Sequence, residues 1–203
     1  MKAKDERPAY HHGDLRAALL VAAEAELAEK GVEGFTLRGC AKRAGVSHAA
    51  PAHHFKDANA LLTALAAEGF ERFVAAMRKR QSQATDPRGR LIAAGLGYVD
   101  FAVANPALFR LMFSSFRPDF DHAPLKQAGS TAFSTLVEAV RAIRGVDPRE
   151  DKPAMLDVAA AWATAHGLAD LLLSGRMPFL GAISGDDPDA VYAEIIRRAL
   201  PER

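Results

Sequence analysis

The stretch TLRGCAKRAGVSHAAPAHHF, from Thr36 to Phe55, predicts a pair of short helices around a tight turn. Thr36 can cap a first helix over residues 37–44, because its hydroxyl can accept a hydrogen bond from an orphan backbone amide. Gly45 stands where that helix should end, since glycine enters the left-handed region without a Cβ penalty.

A second helix is predicted over residues 48–55. Ser47 is its expected N-cap, and Pro51 lies near the first turn, where a missing amide costs less than it would deeper in the helix. Two helices joined by a short turn with glycine are typical of the helix-turn-helix, whose second helix enters a DNA major groove. A solvated helical hairpin in an all-α domain is the alternative.

The charge pattern favours contact with DNA. Residues 35–56 contain no Asp or Glu, although they hold four Lys or Arg and three His. A duplex carries about one negative charge per 1.7 Å of its axis, so such contacts need an acid-free surface. The whole chain has a formal net charge of only +1, so a DNA footprint must be local.

A run of linked motifs resembles the N-terminal DNA-binding domain of TetR-type transcriptional regulators. These motifs are GFTLR, AKRAGVS, HHFKD and ALL, within about residues 10–70. The resemblance implies an all-α protein, with an N-terminal three-helix DNA-binding domain and a C-terminal helical domain for ligand binding and dimerisation. It implies groove or base contacts from some residues and phosphate contacts from others, and the set we expect is Thr36, Arg38, Lys42, His48, Ala49, Ala50, His53, His54 and Lys56.

Two positions depart from the family pattern. The family usually has Tyr where this chain has Ala52, and Lys where it has Ala58. Both usual residues commonly contact phosphates. A small-molecule carrier that kept the fold but lost the DNA role is therefore the alternative function.

Composition excludes other classes. Hydrophobic residues make up 49% of the 203 residues, which is enough for a core, and one cysteine excludes an internal disulfide framework and suits a reducing cytoplasm. No uninterrupted apolar run reaches the roughly 18 residues of a membrane span, and the N-terminus has no apolar signal core. We therefore expect a cytoplasmic protein with no membrane partner.

Three lesser features of the sequence lie mainly in the first 14 residues. Lys2, Lys4 and Arg7 could form an arm along phosphates or an inert tail, and Asp14 can cap a first helix that ends at Gly31. The adjacent histidines at 11–12 and 53–54 invite a metal interpretation. Neighbours on a helix point about 100° apart, so we expect no metal site and no cofactor.

Helical periodicity continues to the end of the chain. We predict a linking helix that Asp57 can cap and that runs to about residue 80. Later helices are predicted over 87–104, 106–116, 125–144, 154–174 and 188–200. Residues 175–187 read as a polar loop. The predicted domains are 1–56 for DNA binding, 57–85 for the linking helix and linker, and 86–203 for regulation and dimerisation.

The segment WATAHG, from Trp162 to Gly167, resembles the Trp-x-x-x-His-Gly motif of a C-terminal subtype among TetR-type regulators, and YVDFA and NPALFRLMF fit that subtype. The resemblance favours a ligand cavity over plain core packing. Such cavities are mostly apolar with a few polar groups. The residues expected to line it are Tyr98, Phe101, Phe109, Met112, Phe113, Phe116, Phe133, Trp162, His166 and Asp170.

A catalytic triad can be considered for His166, Asp170 and Ser174, which share one helical face. A straight helix cannot bring an acid and a hydroxyl from opposite turns onto one imidazole with the needed geometry. The chain also lacks a G-x-S-x-G elbow and a phosphate-binding loop. We therefore predict that the protein is not an enzyme.

Apolar residues wrap too far around the last two long predicted helices, 154–174 and 188–200, for one buried face. The residues concerned are Met155, Val158, Ala159, Trp162, Leu168, Leu171, Leu172, Val191, Ile195 and Ile196. Monomers rarely expose large apolar patches, so this surplus predicts a homodimer. The expected function is a dimeric repressor that binds a palindromic DNA operator and releases it when a small apolar effector binds.

Overall fold

A computed structural model describes residues 15–200, and in this range the chain forms helices joined by short turns, without β-strands. The all-α prediction is confirmed. Asp14, the N-terminal arm and the first histidine pair lie outside the described residues. The helices are α1 (Leu15–Lys30), α2 (Leu37–Arg43), a 3₁₀ turn (Ala50–His53), α3 (Ala58–Gln81), α4 (Pro87–Ala104), α5 (Pro106–Ser114), α6 (Ala123–Arg144), α7 (Lys152–Leu173), α8 (Pro178–Ser184) and α9 (Pro188–Arg198).

The predicted helix-turn-helix begins as expected and ends differently. Thr36 caps α2 by accepting a hydrogen bond of 3.0 Å from the Gly39 amide, and Gly45 has a φ of +68°. The second helix is not an α-helix over 48–55 but a single 3₁₀ turn, and Ser47 is not its side-chain cap. Pro51 explains the difference, because it has no amide to donate to the Ser47 carbonyl, which accepts from the Ala50 amide at 3.1 Å instead.

Helices α1 and α2 and the 3₁₀ turn form a small unit that we call the head. An ion pair with a buried carboxylate fixes α2 against α1: Arg43 Nε donates to Glu26 Oε2 over 2.6 Å, and Glu26 is 5% exposed. A Cβ at Gly39 would overlap the Glu26 carboxylate. A side chain at position 39 would therefore force the Glu26 carboxylate out of its place beside Arg43.

Helix α3 joins the head to the rest of the molecule. Asp57 caps it as predicted, accepting a 2.7 Å hydrogen bond from the Ala60 amide. Its buried residues contact α1 at one end and α4, α5 and α6 along its length. A movement of α3 must therefore carry the head with it.

Helices α4 to α9 form what we call the body. Helix α4 approaches α3 so closely that a Cβ on Gly97 would lie 2.7 Å from the Met77 Cα. Arg80 at the end of α3 joins two further helices, with Nε 2.6 Å from Asp100 of α4 and Nη1 2.8 Å from Asp189 of α9. These ion pairs raise the Arg80 pKa, the Asp100 hydrogen bond most strongly.

The polar loop predicted over 175–187 is wrong in part, because it contains α8. This helix buries Leu180 while Phe179 and Ile183 stay exposed. Sequence alone missed it because seven residues between two glycines show too little periodicity.

Helix α7 has an apolar surface on both sides. Ala154, Val158, Ala161 and Leu168 are buried against neighbouring helices, whereas Leu156 and Trp162 are largely exposed.

By length and composition, α7 could cross a membrane, as could α4 and α5 together across their 110° bend; core helices of soluble proteins pass the same test. The sequence prediction considered only uninterrupted apolar runs.

Candidate nucleic-acid interface and ligand cavity

The residues expected to contact DNA lie on and around α2 and the 3₁₀ turn. Eight are exposed and Ala50 is half-buried; the exposed ones are Thr36, Arg38, Lys42, His48, Ala49, His53, His54 and Lys56. They come from the start and exposed side of α2, the turn before the 3₁₀ segment, the segment itself and the two residues on either side of Phe55. Because Pro51 and Phe55 are buried, the 3₁₀ turn presents its other side to solvent.

Cations on the head fall into two groups. Arg38, Lys42 and Lys56 form no salt bridge with any residue of the described chain. Arg43, in contrast, bonds to Glu26 and to Glu29, and these contacts raise its pKa, the Glu26 hydrogen bond being the larger cause. The first group can contact an external anion without breaking an internal pair, whereas Arg43 holds the head together.

The core behind this face is apolar. Cys40 is fully buried, and burial raises the pKa of its thiol to about 12, with the Glu26 charge as a smaller cause. The Arg16 guanidinium lies 5.6 Å from the centre of the Phe55 ring, within cation–π range. Arg16 therefore stabilises the end of the helix-turn-helix.

A cavity of about 380 Å³ lies in the body between α3, α4, α5, α6, α7 and α9. This volume falls in the usual range for small-molecule sites. None of the described lining residues is charged. They are Phe70, Phe73, Met77, Leu91, Ala94, Gly95, Tyr98, Met112, Phe113, Phe120, Gly129, Ala132, Phe133, Thr135, Leu136, Ala161, Trp162, Ala165 and Ile196.

Half of the residues predicted to bind ligand lie on the cavity wall, namely Tyr98, Met112, Phe113, Phe133 and Trp162. Phe101 and Phe109 are buried behind that wall, and His166 also lies behind it. Phe116 is 100% exposed and Asp170 is exposed, so neither lines the cavity. In the sequence, Phe116 continues the aromatic pattern of α5 and Asp170 continues the helical pattern of α7. However, α5 ends before Phe116, and Asp170 faces solvent.

Tyr98 is the main polar group at the cavity. Its hydroxyl is 2.7 Å from His166 Nδ1, and burial raises its pKa above the usual range, a shift that a hydrogen bond from Trp162 partly offsets. The Tyr98 hydroxyl donates to His166 Nδ1 or accepts from it, according to which nitrogen of the imidazole carries the proton. Two residues of the Trp-x-x-x-His-Gly segment thus hold one cavity hydroxyl.

The α3 wall and the small residues that leave the space open were not predicted from the sequence. Phe70, Phe73 and Met77 were assigned to a helix face without a cavity, although their spacing indicated one buried side. Gly129 is the clearest small residue, since a Cβ added there would meet nothing within 4 Å. Periodicity shows that a face is buried but cannot show whether the space beside it is filled.

No group of three or more His, Cys, Asp or Glu side chains that could hold a metal ion occurs among residues 15–200. The Ser174 hydroxyl donates to the Leu171 carbonyl at 3.2 Å. His166 bonds to Tyr98 rather than to an acid and a nucleophile.

Two family models match the chain. Residues 19–65 match "Bacterial regulatory proteins, tetR family", and residues 91–199 match "Tetracyclin repressor-like, C-terminal domain". The second match covers more than half of the chain, including most of the cavity wall. A comparison with curated proteins found no match.

Solved structures share the fold over nearly the full length. A protein of unknown function from Rhodococcus sp. RHA1 is 34% identical, with a TM-score of 0.78, over 97% of this chain and 100% of that one. A TetR family transcription regulator from Marinobacter aquaeolei VT8 is 20% identical, with a TM-score of 0.66, over 94% of this chain and 97% of that one. The fatty acid degradation regulator FadR from Bacillus halodurans is 19% identical, with a TM-score of 0.64, over 94% and 97%.

The latter two likenesses concern the fold alone, whereas the family follows from the two models. Both the order of the domains and the exposed cationic face of the head agree with that result. The chain belongs to the TetR family and is a DNA-binding transcriptional regulator, not an enzyme.

Proposed function

We propose that the protein is a dimeric, ligand-responsive repressor of the cytoplasm. It binds a palindromic operator through the head and releases it when a small, largely apolar molecule occupies the body cavity. The 380 Å³ cavity with no charged wall residue carries this proposal. It supports an effector whose buried part is uncharged, because burying an unpaired charge costs several kcal/mol or more.

We propose that the residues of the head contact DNA in two ways. Arg38 on α2, with Thr36, His48, Ala49 and Ala50, contacts the groove, while Lys42, His53, His54 and Lys56 hold phosphates. Their exposure and the absence of acids over residues 35–56 support this division. A phosphate contact contributes to the affinity for every DNA sequence alike, whereas a base contact contributes only to the affinity for the matched sequence.

The dimer is proposed to form through the apolar outer face of α7 with α8 and α9. Leu156, Phe179 and Ile183 are each more than half exposed, and Ala160 and Ala163 extend the same face of α7. Val158, Leu168 and Ile196, which the sequence also suggested for this interface, are instead buried in the protomer. TetR-family regulators usually act as dimers. A two-fold dimer would place two heads on one side of a duplex, about 34–36 Å apart or a multiple of that distance.

The loop between α5 and α6 offers a physical link between cavity and head. Arg117 in this loop donates from Nε to Asn59 Oδ1 at 3.0 Å and from Nη1 to the Val32 carbonyl, which lies in the turn after α1. Phe120 in the same loop lines the cavity. A ligand that displaces Phe120 would pull on the Arg117 contacts, and by linkage DNA and ligand would weaken each other equally.

Fluorescence anisotropy on the DNA upstream of the gene tests the proposal. We expect salt-dependent binding. Lys56→Gln should weaken binding to matched and scrambled DNA alike, and should reduce the slope of log affinity against log salt concentration by about one. Arg38→Ala should instead reduce the preference for the matched sequence. Lys152→Gln, which removes an exposed charge from the body, is the matched control. Identical behaviour of the Arg38 and Lys56 variants on both DNAs would overturn the division of roles.

A further inference from the structure

A polar groove of about 610 Å³ adjoins the cavity where the end of α3, the start of α4 and the middle of α6 meet. Thr135 lines both spaces. The groove is polar, being lined by Arg78, Gln81, Ser82, Ala84, Pro87, Arg90, Gln127, Ser130, Thr131, Ser134, Thr135, Glu138, Ala139 and Ala142.

Consecutive residues on two helices face the two spaces. On α3, Met77 lines the cavity and Arg78 lines the groove; on α4, Leu91 lines the cavity and Arg90 the groove. Thr135 of α6 belongs to both. The apolar cavity and the cationic groove therefore lie on different sides of the same helices and share Thr135 in their linings.

The groove has two cations available for an anion. Neither Arg78 nor Arg90 forms a salt bridge with a described residue, and Arg90 Nε is held 3.2 Å from the Ala84 carbonyl. The acid of the groove, Glu138, is already paired, its nearer partner being Arg149 at 3.6 Å. Guanidinium groups match the planar geometry of carboxylates and phosphates, so the two arginines can bind such a group.

We infer that the effector is an amphipathic molecule with an apolar body in the cavity and an anionic head, a carboxylate or a phosphate, in the groove against Arg78 and Arg90. This inference rests on the proposed effector function of the cavity. The uncharged cavity wall takes the part that avoids water, and the solvent-open groove takes the charge without the cost of burial. Thr135 marks the position where body and head join.

Trp162 provides a direct assay, because it is the single tryptophan of the chain and lines the cavity. The full-length protein, stripped of bound lipid, is titrated with dodecanoate, dodecyl phosphate and 1-dodecanol, each as monomer, while Trp162 fluorescence is followed. The three probes share one apolar chain and differ in the head. We expect at least one anionic probe to bind ten or more times as tightly as the alcohol, and the preferred anion identifies the head as carboxylate or phosphate.

The double variant Arg78→Gln/Arg90→Gln should reduce that preference to threefold or less and leave the affinity for the alcohol unchanged. Lys79→Gln is the matched control, since it removes an exposed cation from the next position on α3, outside the groove, and should keep the preference. If the alcohol binds as tightly as both anions, or the double variant keeps the preference, the anionic head site is wrong. If no probe alters Trp162 fluorescence or DNA binding, the effector proposal itself fails.

Discussion

Filling the cavity at Gly129 should stabilise the protein and make it insensitive to effector. Gly129 lies within α6 on the cavity wall, and a Cβ there meets open space. Gly→Ala within a helix gains about 0.5–1 kcal/mol from backbone entropy. Leucine adds three more carbons, each worth about 0.8 kcal/mol if fully removed from water, so Gly129→Leu should gain about 1–2 kcal/mol beyond Gly129→Ala.

The comparison of these two variants separates the backbone effect from the filling of the cavity. At equal protein concentration, 1 kcal/mol shifts the Tm of a chain of this size by about 2–4 °C, so Gly129→Leu should melt about 2–8 °C above Gly129→Ala. It should also lose the Trp162 response to 1-dodecanol while retaining DNA binding. A Gly129→Leu protein that melts no higher than Gly129→Ala, or that binds the probe like the parent, would refute the assignment of this space as an apolar ligand site.

Three further predictions concern other parts of the molecule. Arg117→Ala removes the contact between the α5–α6 loop and the Val32 carbonyl. A cavity probe should bind this variant within twofold of the parent affinity, but the change that it causes in DNA affinity should be at least threefold smaller than in the parent. If the probe changes DNA affinity as much as it does in the parent, this link is excluded. Cys40, whose pKa burial raises to about 12, should not react with Ellman's reagent at pH 8 until guanidinium unfolds the protein, and rapid labelling of the native state would contradict its burial. Hydrogen bonds from Lys30 first and then from Arg43 lower the Glu29 pKa from 4.5 to about 2, so the stability that it contributes is present above pH 4.5 and lost as the pH falls towards 2. Glu29→Gln should flatten the dependence of the unfolding free energy on pH, measured by urea unfolding at several pH values across that window. An unchanged pH dependence would count against the pairing.

Several features of the fold were predictable because their causes are local. Thr36 and Asp57 cap their helices through side chains that reach amides three residues away, and Gly45 takes a positive φ at the predicted turn. Two local predictions were wrong. Pro51, which has no amide for the Ser47 carbonyl, leaves one 3₁₀ turn in place of the second helix, and α8 packs against α9 with Leu180 buried.

The sequence by itself determined the all-α class, the order of head and body, the acid-free face and the family, because caps, helical periodicity and charge runs act within a few residues. Only the tertiary structure decided which aromatic residues line a space and which fill one: Phe113 and Phe133 line the cavity, whereas Phe101 is buried behind it. Tertiary structure also placed Arg78 beside that space. A cavity is the volume that six helices leave between them, and no single helix encodes it.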